Sequence, residues 1–122
     1  MKWPPAPASN VEAFTRAAAR LRRVEARKMF GYPAAFVNGH MIAGLVRDRM
    51  VIRLGEKDRK RFLALPGATP FIAMKGRVMK QWAVVPPSMM KSPAHLGRWL
   101  TRALAHGRSL TPKVKRHGAR RA

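Results

Sequence analysis

Proton transfer, nucleophilic attack and metal binding need particular side chains, and this chain offers few of them. It has four histidines (His40, His95, His106, His117), five carboxylates (Glu12, Glu25, Asp48, Glu56, Asp58), four serines (Ser9, Ser88, Ser92, Ser109) and no cysteine. Without cysteine there are no disulfides, thiolate metal sites, iron–sulfur ligands or thiol nucleophiles. The histidines are scattered, and no pair forms a metal-binding spacing with a third ligand. Residues 59–122 contain no carboxylate, so that half has no acidic general base and no hard-cation site. The residue types predict no enzyme, no cofactor and no metal.

Positive charge is what the chain has in excess. Lys and Arg number 26 against five acids, a net charge of +21 on 122 residues. Such an excess attracts polyanions, nucleic acid first. Two segments concentrate it. The basic tail, residues 108–122, includes Lys113, Lys115, Arg116, Arg120 and Arg121. Ahead of it, His95, Arg98, Arg102 and His106 recur at helical spacing. The seven residues selected as nucleic-acid contacts are Arg98, Arg102, Lys113, Lys115, Arg116, Arg120 and Arg121. Their expected role is to neutralise phosphates, which positions a protein without reading bases. No Asn or Gln accompanies the helical stripe, so adenine-specific readout is not expected. The plainer alternatives are a solubilising tail and a solvated helix face whose stems cover apolar surface. Lys75, Arg77 and Lys80 surround Gly76 and read as a turn, because the spacing of a phosphate-binding P-loop is missing. Trp82 and Trp99 sit on apolar stripes and read as core, as do Phe30, Phe36, Phe62 and Phe71.

These residues need a scaffold, and 47% apolar content is enough to build one. Prolines in residues 1–8 predict an extended leader, and the absence of an apolar stretch there argues against a signal peptide. Ser9 and Glu12 match a capping box opening a helix over about 10–23. Strands follow at 26–30, 34–37, 41–46 and 50–54, with Asn38-Gly39 as a hairpin turn. A polar helix spans 56–65 and stops at Pro66-Gly67. Two more strands lie at 71–74 and 82–85, joined by a loop at 75–80. Ser92-Pro93 opens a last helix whose stripe is Leu96, Trp99, Leu100, Ala103 and Leu104, with Gly107 as its stop. The order predicts α+β with a mainly antiparallel sheet, divided as leader 1–8, domain 9–107 and disordered tail 108–122. No apolar run is long enough for a membrane helix.

Several segments in order resemble the N-terminal domain of the TfoX/Sxy family. They are Arg27-Lys28-Met29-Phe30-Gly31-Tyr32, Phe36-Val37-Asn38-Gly39, Met41-Ile42-Ala43-Gly44-Leu45, Arg53-Leu54 before a charged helix, Pro70-Phe71, and the strand from Trp82 to Pro86. The resemblance covers residues 12–106. It implies a secretion-chaperone-like α-β-β-β-α-β-β-α fold and a non-enzymatic regulatory role, best known in natural competence beside a catabolite-activator-type transcription factor. Where those regulators carry a second helical domain, this chain shows only a short basic tail. The combined expectation is a cytoplasmic regulatory or accessory domain with electrostatic contact to nucleic acid. The alternative is a protein-interaction adaptor that docks a transcription factor or pairs as a homodimer.

Overall fold

The computed structural model describes residues 5–29, 31–72 and 76–111. Helix α1 (Ala8–Ala19) starts two residues earlier than the capping box predicts. Pro7 stands at the N-cap, and its carbonyl accepts the amide protons of Asn10 and Val11. A proline there loses nothing, since the first amides of a helix have no partner inside it. Ser9 is thus a helical residue, and Glu12 pairs with Arg16 one turn on, at 3.0 Å.

Four strands follow: β1 (Glu25–Met29), β2 (Tyr32–Val37), β3 (His40–Val46) and β4 (Arg49–Arg53). The hairpin turn at Asn38 and Gly39 has both residues at positive φ, 53° and 81°, the conformation that suits the twist of a two-residue hairpin. The next turn puts Arg47 at φ 57°. It is tied to α1 by the Asn10 side-chain amide, which donates to the Asp48 carbonyl. Helix α2 (Glu56–Leu63) then crosses to β5 (Thr69–Ile72) and β6 (Val78–Val84), and α3 (Pro87–Met90) and α4 (Pro93–Ser109) end the fold.

The strands form one antiparallel sheet in the order β1-β2-β3-β4-β6-β5. Because β6 inserts between β4 and β5, the last hairpin folds back onto the meander. The helices share one hydrophobic cluster with the sheet. Phe14 and Ala17 of α1, Phe62 of α2, and Leu96, Leu100, Ala103 and Leu104 of α4 meet Val37, Ile42, Leu45, Met50 and Ile52. The fold is therefore α+β with an open antiparallel sheet.

Four details differ from the sequence expectation. Four strands precede α2, not the three of the α-β-β-β-α-β-β-α string. Residues 78–80, expected at the end of a loop, are the start of β6, where Val78 pairs with Ile72. A four-residue helix, α3, separates β6 from α4 and buries Met89. Gly107 does not stop α4, which runs to Ser109. Gly107 is buried against Val37 and Ile42, where an added Cβ would collide with Val37 and lie 2.6 Å from Ile42 Cγ2. Its lack of a side chain lets α4 close on the β2–β3 hairpin, a packing need indistinguishable in sequence from a helix stop.

Candidate nucleic-acid interface

Helix α4 carries the two sequence-selected arginines that fall among the described residues. Pro93 occupies its first turn, and the Ser92 carbonyl, not its hydroxyl, accepts the Leu96 amide at 2.9 Å. Burial of Leu96, Leu100, Ala103, Leu104 and Gly107 turns Arg98 and Arg102 outward. The two differ in partners. Arg102 Nη1 donates to Asp58 Oδ1 on α2 at 2.9 Å. Its guanidinium also lies 5.4 Å from the Trp99 ring centroid, and Trp99 meets Phe62 edge-on at 5.0 Å. Arg102 thus clamps α4 to α2. The pair is solvent-accessible, so its net worth is about 0–1 kcal/mol. Arg98 makes no hydrogen bond or ion pair with any described residue and presents its whole charge to solvent.

His106 leaves the stripe that the sequence assigned to it. It points at the sheet, with Nε2 3.2 Å from Gln81 Oε1. Arg53 Nε donates to the same oxygen at 2.7 Å. A guanidinium can only donate, so the shared atom is the amide oxygen and His106 carries its proton on Nε2. Burial, then the Arg53 charge, holds the His106 pKa below 6.5; His40 acts in the same direction and Asp58 opposes. His106 is therefore neutral near pH 7 and adds nothing to a cationic face. Desolvation lowers the pKa of the partly buried Arg53 from the usual guanidinium range, and it stays charged.

His40, at the start of β3, fixes where the chain leaves the domain: its Nε2–H donates to the Thr111 carbonyl at 2.7 Å. Lys113, Lys115, Arg116, Arg120 and Arg121 lie outside the described residues, as do Phe30, Met74 and Lys75.

Cations are not confined to α4. Arg27 and Lys28 on β1, Lys57, Lys60 and Arg61 on α2, and Lys80 on β6 are all exposed. Three of the five acids are held by arginines, in the pairs Glu12–Arg16, Glu25–Arg27 and Asp58–Arg102. Two shallow recesses flank α1. One of about 240 Å³ is lined by Glu12, Arg16 and Leu96, the other of about 410 Å³ by Asp48, Met50, Val85 and Lys91. Neither brings a histidine against a hydroxyl or carboxylate. Among the described residues no three acidic or histidine side chains could hold a metal ion. No helix there is long and apolar enough to cross a membrane. Trp82 and Trp99 are half-buried, and Phe36 is buried beneath the Arg27 guanidinium at 4.7 Å, so none of the three is an open stacking platform.

The family model of the TfoX N-terminal domain matches residues 16–107. No curated protein matches the chain.

Proposed function

The chain belongs to the TfoX N-terminal domain family, a regulatory or accessory module, and from that premise we propose that it is a non-enzymatic domain that grips nucleic acid through the phosphate backbone without reading sequence. One observation carries this reading. A chain of net charge +21 has already committed Glu12, Glu25 and Asp58 to arginines, so most of its cations have no internal counter-charge. Phosphates supply what is missing, and release of their condensed counterions drives binding. Arg98 is the unencumbered contact on α4, whereas Arg102 must share its charge with Asp58. Lys113, Lys115, Arg116, Arg120 and Arg121 extend the contact as an arm. A nucleic-acid partner and the lack of cysteine favour the cytoplasm.

A second reading, an adaptor for a transcription factor or for a second copy, draws support from one place. Ile72 and Val78, partners across the β5–β6 ladder, are 54% and 49% exposed.

Binding to a random-sequence DNA duplex across a salt series separates the two. The backbone reading requires binding at ~50 mM salt and a log–log slope near −0.9 per phosphate contacted. Replacing the five tail cations by Gln flattens that slope. A wild-type chain that ignores the duplex at ~50 mM salt refutes the reading. A protein partner retained at high salt would favour the adaptor.

A further inference from the structure

The register of the strands divides the sheet into two faces. Ala26, Ala35, Ala43, Ile52, Ala83 and Pro70 stand opposite one another across the six strands, and the next row is Arg27, Ala34, Gly44, Val51, Val84 and Thr69. Successive residues of a strand point to opposite faces, so the two rows look opposite ways. Ala35, Ala43, Ile52 and Ala83 belong to the cluster shared with the helices. Ala34, Val51 and Val84 are no more than 6% exposed yet lie outside that cluster, as does Phe36, next but one to Ala34 on β2. Val46 and Trp82, next but one to Gly44 and Val84, share this side and are half-buried, as is Met41. Among the described residues no buried helix side chain joins this second apolar layer. Its roof is made of its own side chains. The Arg27 guanidinium lies 4.7 Å from the Phe36 ring centroid, and Met41 Cε fills the space that a Cβ on Gly44 would take. An antiparallel sheet with its core on one face commonly turns polar residues to water on the other, whereas this one is apolar on both.

We infer that this second face is a docking surface for an acidic amphipathic helix of a partner protein. Charge selects the partner. Arg49 and Arg53 alternate with Val51 along β4 and share its face, and Arg27 bounds the face at β1. Glu25, across from Phe36, is held by Arg27. A second copy of the chain would set these cations against themselves, on top of a net charge of +21, and like charges in contact oppose docking. Backbone chemistry selects the helix. Pro70 offers no amide proton to a strand beside β5, and β1 lines its margin with the exposed Glu25, Arg27 and Lys28, so neither margin favours an added strand. A segment laid on the face must then satisfy its own amides and carbonyls, which a helix does. Its apolar side would meet Met41, Val46 and Trp82, and its carboxylates would reach Arg49, with Arg53 beside it. Arg98 projects from α4, on the other side of the sheet, so the inference is separate from the phosphate-backbone reading and stands whether or not nucleic acid binds.

The test titrates helical peptides of about five turns into the isotope-labelled full-length protein and follows its amide NMR signals. One peptide has Leu on one side and Glu on the other, a second has Leu and Lys, and a third keeps every Glu but carries Gln in place of Leu. The Leu/Glu peptide should move the signals of Val46, Val51 and Trp82 and leave those of Arg98 and Thr101 on α4 in place. Exchanging its Glu for Lys, or its Leu for Gln, should each weaken binding by about tenfold or more. M41E/V46E, at two half-buried positions, should weaken the Leu/Glu peptide by about tenfold or more, and R98E, which changes the net charge by the same amount, by less than about threefold. The same spectra report whether each variant is folded, and the map on the wild type decides the case if M41E/V46E is not. A Gln/Glu peptide that binds as tightly as the Leu/Glu peptide would mean plain attraction to a cationic chain and would overturn the inference, as would shifts gathered on α4 or none at about 1 mM peptide. Sedimentation of the wild type alone checks the occupant: a stable dimer that M41E/V46E dissociates would replace the acidic helix by a second copy.

Discussion

The β2–β3 hairpin turns through two residues made for a turn and lies beneath α4, with Val37 and Ile42 sealed by Gly107. The β5–β6 hairpin, at the opposite side of the sheet, has Pro70 in its edge strand, a register shift between Pro70 and Ile72, and an exposed apolar pair at Ile72 and Val78. β5 contributes nothing to the fully buried core. The first hairpin is held by packing. The second is held at its root, where Ala83 and Val85 are buried, and by polar contacts: Gln81 to Arg53 and His106, and the Trp82 carbonyl to Arg59 Nε at 2.9 Å. Two hairpins of the same sheet therefore depend on different forces, and solution conditions should act on them differently.

The largest expected effect lies in the packed hairpin. Ile42 is fully buried. Ile42→Ala should cost about 2–5 kcal/mol in urea unfolding, whereas Ile72→Ala, more than half exposed, should stay within about 0.5 kcal/mol. Similar losses at both positions would erase the contrast. Next comes Gly107→Ala. Helix preference alone would stabilise it by about 1 kcal/mol. The collision with Val37 and Ile42 should win and leave the protein about 1–3 kcal/mol less stable. A stabilised variant would show that α4 is not pressed on the hairpin.

The smallest effect concerns the polar side. His106 has a folded pKa below its unfolded 6.5. Between those values the unfolded chain binds more protons than the folded one, so stability falls as pH drops through 6.5 toward the folded pKa. His106 is only half-buried and solvent damps the change. Thermal unfolding at pH 7.5 and pH 5 should show the decline, and His106→Gln should reduce it. Hydrogen exchange should place the loosening in β6, not in β2 or β3.

Much of this architecture was legible. Asn38-Gly39 located the central hairpin because few residues accept left-handed backbone, and the leucine stripe of α4 located the helix that covers it. One failure is local and the rest share another cause, in which local rules were outvoted by neighbours distant in sequence. Locally, Ser9 and Glu12 spell a cap, yet Pro7 supplies the acceptor two residues earlier. Val78 looks like loop, yet β5 gives it Ile72 to pair with. The basic stripe of α4 is regular in sequence, but Asp58 and Gln81 engage two of its members and leave Arg98 open. The contact of Arg108 with the Arg22 carbonyl could not be seen, because 86 positions separate residues that one hydrogen bond unites.

At the outer margin of the sheet, β1 has no strand neighbour on one side among the described residues, and it exposes Glu25, Arg27 and Lys28 along its five residues. A second chain seeking to extend the ladder there would have to strip water from the Glu25–Arg27 ion pair and from the exposed Lys28. In a crowded cell, where unfinished sheets nucleate fibrils, that requirement keeps this margin closed to accidental growth.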